Sequence, residues 1–77
     1  MNADRRKRLE KARGLIEEAK DIVAECASEE RDYYDNMPEG LQASDKGEKA
    51  DSDATALDEC DSALDECINA INEAVEG

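Results

Sequence analysis

The chain has 77 residues, with 22 Asp or Glu against 10 Lys or Arg and a formal charge of −12. That length allows one domain, whose core is too small for much net stability unless a staple or a second copy supplements it. With Tyr33 and Tyr34 as the only aromatics, no pocket for a drug-sized ligand is expected inside one copy, and the acidic balance disfavours nonspecific attachment to nucleic acid or an anionic membrane while favouring a partner with a basic surface.

The charge is unevenly spread. Residues 1 to 13 hold six bases (Arg5, Arg6, Lys7, Arg8, Lys11, Arg13) against two acids, whereas residues 50 to 77 hold nine acids and no base. A strongly dipolar molecule follows.

A first helix is predicted from about Ala3 to Tyr34. With Leu9 at heptad position a, the a row is Leu9, Ile16, Val23 and Glu30, and the row three residues on is Ala12, Ala19, Cys26 and Tyr33, with Leu15 and Ile22 widening the stripe. Arg5 to Arg8 are too polar to pack, so fraying of the first turns is expected. Neutralisation of acids, within the chain or across a dimer, is the expected role of these bases. Gly14 costs about 1 kcal/mol relative to Ala in a helix interior, which suggests close approach of another backbone.

Residues 35 to 44 interrupt the heptads. Asn36-Met37-Pro38-Glu39 reads as a capping box, with Asn36 as N-cap of a single turn through Gly40 or Leu41. Met37 and Leu41 are the apolar plugs for that end. Tyr33 continues the core row, which leaves Tyr34 as the exposed aromatic and, with Met37 and Leu41, as a candidate for partner binding on a loop carried by a rigid scaffold.

Ser44 is the predicted N-cap of a second helix, running from about Asp45 to Val75. Residues 55 to 75 are one heptad written three times, giving an apolar row of Leu57, Leu64 and Ile71 and a second row of Cys60, Cys67 and Ala74. Ala56, Ala63 and Ala70, with Ala54, Ile68 and Val75, make the stripe wider than one neighbour can cover. The expected fold is therefore all-α: an antiparallel two-helix, coiled-coil-like hairpin about 45 Å long, dimerising into a four-helix bundle. Leu9, Ile16, Val23, Cys26, Leu57, Cys60, Leu64, Cys67, Ile68 and Ile71 are the expected core and dimer residues.

Opposite this stripe lies an acidic ridge that includes Asp51, Asp53, Asp58, Glu59, Asp61, Asp65, Glu66, Glu73 and Glu76. With no lysine interleaved, these carboxylates forgo the pairs that usually support a surface helix. Either they are a solvated face, or they offer a groove that binds nucleic acid a decoy for phosphates, although a ridge repeating every 10 Å or so matches a phosphate ladder only approximately. Asp58, Glu59, Asp65, Glu66 and Glu73 are the candidate partner-binding acids.

The three cysteines form no disulfide framework: Cys60 and Cys67 are about 10 Å apart on one helix, and reduced core thiols are the expected state. The chain has no His, no Gly-rich phosphate loop, no nucleophile with a base in view and no zinc or calcium pattern, so neither enzyme activity nor a cofactor or metal is expected. There is no secretory core, 18-residue apolar run or lipidation signal.

The stretch Tyr34-Asp35-Asn36-Met37-Pro38-Glu39-Gly40-Leu41-Gln42, followed by Ser44, Lys46-Gly47-Glu48-Lys49 and the Ala-Leu-Asp-Glu heptads, resembles a family of short, uncharacterised helical proteins of bacteriophage and prophage genomes. The resemblance covers most of the chain, and the connector is its specific part. It implies a phage origin, a helical hairpin and a place in the cytoplasm of an infected bacterial host; it supplies no activity or catalytic residue. The expected function is inhibition of a bacterial defence system, anti-CRISPR or anti-restriction, by occluding a basic surface. Alternatives are a structural or adaptor homodimer, and an oligomer that sequesters a nucleotide on Arg5 to Arg13, Lys20 and Arg31.

Overall fold

The computed structural model describes residues 1–76. Those residues form α1 (Ala3–Asp35), the single turn α2 (Glu39–Gln42) and α3 (Asp45–Glu76), a rod 57 × 15 × 13 Å. Contacts between residues far apart in sequence fix an antiparallel pairing: Arg13 reaches Asn72, Lys20 reaches Asp61 and Arg31 reaches Asp51.

The basic segment is helical from Ala3. Asn2 accepts a hydrogen bond from the Arg5 amide at 2.8 Å, satisfying one of the donors that every helix start leaves free. Arg8 pairs with Asp4 at 3.1 Å, one turn earlier. Asn36 is not the N-cap of the connector turn. Its backbone is right-handed helical (φ −86°, ψ −3°) and its amide bonds Asp32 O at 3.0 Å, so it closes α1. An N-cap needs extended backbone, and Pro38, with ψ 150°, supplies the break from which α2 starts, without a side-chain cap. Ser44 immediately precedes α3, and its hydroxyl accepts from the Gly47 amide at 3.4 Å.

Each helix buries a second row beside its a row; in α3 Ala54, Ile68 and Val75 of that row are expected from the sequence, while in α1 none of it is. The a rows face inward: Leu9, Ile16, Val23, Leu57 and Leu64 are half-buried and Ile71 is buried. The second inward row, however, lies four residues on, not three. In α1 it is Arg13, Lys20, Ala27 and Tyr34; in α3 it is Ala54, Asp61, Ile68 and Val75, with Gly47 at its head. Cys26, Cys60 and Cys67 therefore lie outside the intrachain seam, and all three are exposed free thiols. The same rotation swaps the tyrosines, leaving Tyr33 exposed and Tyr34 half-buried.

Rotation is favoured because the polar members of the four-on row find partners across the seam, Lys20 within the row and Arg13 on Asn72 beside it. Arg13 Nη1 donates to Asn72 Oδ1 at 2.6 Å, and Lys20 Nζ lies 3.2 Å from Asp61 Oδ1. Partly screened polar pairs like these cost little to bury, while their unpaired counterparts would cost more. Small residues then set the interhelical distance at the connector end, where Ala27, Gly47, Ala50 and Ala54 are buried. A Cβ added at Gly47 would collide with the backbone carbonyls of Leu41 and Gln42, so this glycine marks the close approach that the sequence suggests for Gly14. Around Gly14 there is open space.

Candidate interaction surface

Two surfaces carry the residues singled out in the sequence. The first is the connector end. Tyr34 is half-buried there and its carbonyl accepts from Gln42 Nε2 at 3.0 Å; Met37 is half-buried, and Leu41 is 48% exposed. Tyr33, not Tyr34, presents its ring, with Lys46 Nζ 5.9 Å from the ring centroid in a cation–π arrangement.

The second surface is the outer side of α3, where Asp58, Glu59 and Glu66 share a shallow, open groove of about 340 Å³ with Thr55, Ser62 and Ala63. Glu73 lies near the opposite end of the rod, about 40 Å by helical rise from the start of α3, so the ridge and the connector are not one patch.

Part of the ridge is tied up within the chain. Arg31 spans two heptads of α3, donating from Nη1 to Asp51 at 2.9 Å and from Nη2 to Asp58 at 3.2 Å. These hydrogen bonds, the one to Asp58 foremost and that to Asp51 next, raise the guanidinium pKa above its ordinary value. Lys49 pairs with Asp53 at 3.0 Å, and Asp61 belongs to the seam with Lys20. Among the described residues Glu59, Asp65, Glu66, Glu73 and Glu76 form no ion pair, so they are the unengaged part of the ridge.

The bases divide the same way. Arg13, Lys20 and Arg31 are engaged with α3, while the bridge made by Arg5 to Arg8 among the described residues stays within α1. Among the described residues, neutralisation of the acids of α3 by α1 therefore comes from Lys20 and Arg31, while the basic start pairs with Asp4 of its own helix. No described helix is long and apolar enough to cross a membrane, and no described group of three or more Cys, Asp or Glu is placed to hold a metal. No family model matches the chain, and no curated protein or solved structure matches it.

Proposed function

We propose that the protein is a non-enzymatic, homodimeric interaction module of the cytoplasm, a four-helix bundle whose acidic outer walls occlude a basic surface on a target protein. The supporting observation is the run of unpaired carboxylates at Glu59, Asp65, Glu66 and Glu73 on a rigid helix that carries no base beyond Lys49. Fixed charges on a preorganised rod lose little entropy on docking and steer the encounter. Inhibition of a bacterial defence complex that grips nucleic acid is the activity this wall suits, with any direct contact to nucleic acid disfavoured by the same charge.

The test is phage plating on bacteria that carry a CRISPR or restriction system. Expression of the protein should raise plating of a targeted phage, and the triple change Glu59→Lys, Asp65→Lys, Glu66→Lys should remove the effect. Unchanged plating across both classes of system overturns the inhibitor reading. The exposure of Leu41 favours a second reading, an adaptor that docks through the connector end; in that case Leu41→Asp abolishes capture of the partner and the charge reversals leave it intact.

A further inference from the structure

Each long helix carries a second heptad stripe that the hairpin leaves uncovered. On α1 it is Leu15, Ala19, Ile22 and Cys26; on α3 it is Cys60, Ala63, Cys67 and Ala70, all exposed, with Leu15 at 57% and Ile22 at 62%. Both stripes lie about 110° around their helix from the buried seam, in the same rotational sense. Because the helices run in opposite directions, equal rotations bring the two stripes to the same broad side of the hairpin. The Arg13–Asn72 and Lys20–Asp61 pairs fix the register, which puts Leu15 about level with Cys67 and Ile22 about level with Cys60.

We infer that this face is the seat of a second copy of the chain, related by a twofold axis running along the rod. This deepens, and rests on, the homodimer reading above. The face is self-complementary: its bulk lies on α1 and its small residues on α3, and such an axis lays each α1 antiparallel on the partner's α3. The Leu and Ile of one copy then fill the Ala and Cys row of the other, knobs into holes. A twofold axis across the rod would set α1 on α1 and leave the small row facing its like.

Area supports the same occupant. A face running the length of a rod 57 Å long and 15 Å wide has the extent that one partner of a standard-size interface buries, about 800 Å². Asp65 lies on the opposite side of α3 from this face, and Glu59 and Glu66, which share the outer groove with Ala63, stand at its rim.

Sedimentation equilibrium of the full chain, read together with the rate of maleimide labelling, tests the assignment. The expected result is twice the chain mass with all three thiols slow to label. For Leu15→Glu with Ile22→Glu the expected result is a dissociation constant raised roughly a hundredfold and fast labelling, with the helical circular dichroism of single hairpins retained. A second variant, Ala63→Arg, fills the small row instead and should dissociate the dimer in the same way. A parent chain at single mass throughout the micromolar range overturns the homodimer reading and this face with it. A dimer that survives both variants, its thiols labelling freely, overturns the face alone.

Discussion

The two ends of the rod are held by different means. At the connector end, Ala27, Ala50 and Ala54 are buried and Gly47 lies under the Leu41 and Gln42 carbonyls, so the backbones approach closely and side chains contribute little bulk. Ile71 is the buried apolar side chain at the open end, and the residues around it, Arg13 and Asn72, meet through a single hydrogen bond. Close backbone packing tolerates no added atom, whereas packing on one large side chain tolerates change but loses much when that side chain goes. The open end is therefore expected to open first, and the connector end to unfold only with the whole hairpin.

Gly47→Ala tests the first half of that contrast and has the largest expected effect. It should cost about 3 kcal/mol or more, since backbone carbonyls must move to admit the methyl, and should appear as a lower urea midpoint at fixed protein concentration. Ile71→Ala attacks the other end at about 2 kcal/mol. Its signature in hydrogen exchange is lost protection confined to the two termini, with the amides around Ala50 and Ala54 unaffected; uniform loss would show that the ends are not independent. Gly14→Ala, in open space on α1, should stabilise by about 1 kcal/mol through helix propensity and narrow the gap between the ends. Arg31→Ala should have the smallest effect of the four, because the pairs with Asp51 and Asp58 are largely exposed and salt-screened, and the difference from the parent in urea midpoint should vanish in molar salt.

Much of this architecture was legible in the residues. Periodicity locates both long helices, and the rows of Leu9, Ile16, Val23 and of Leu57, Leu64, Ile71 do turn inward. In α3, Ala54, Ile68 and Val75 of the second row already stand in the expected stripe; the polar members of that row are what either helix alone conceals. Taken singly, Arg13, Lys20, Asp61 and Asn72 are poor seam residues, and the Cys and Ala rows beside them look better. Set in register, the polar residues become partners, and only an antiparallel overlay of the two helices would have exposed that signal. Gly14 and Gly47 were likewise indistinguishable by composition, because what separates them is the chain that folds back over one of them. The acidic wall was visible as a count, but which carboxylates remain accessible depended on Arg31, Lys20 and Lys49 finding theirs.

Arg31 has one more consequence. It grips two aspartates exactly one repeat apart, and the motif of α3 recurs so regularly that sliding the helix by seven residues would still offer it Asp58 and Asp65. The repeats thus measure intervals without marking a zero, like a ruler lacking numerals. Gly47 beneath the connector supplies the origin, so matched repeats could be added or removed at the far tips, lengthening or shortening the molecule, while every remaining pair keeps its mate.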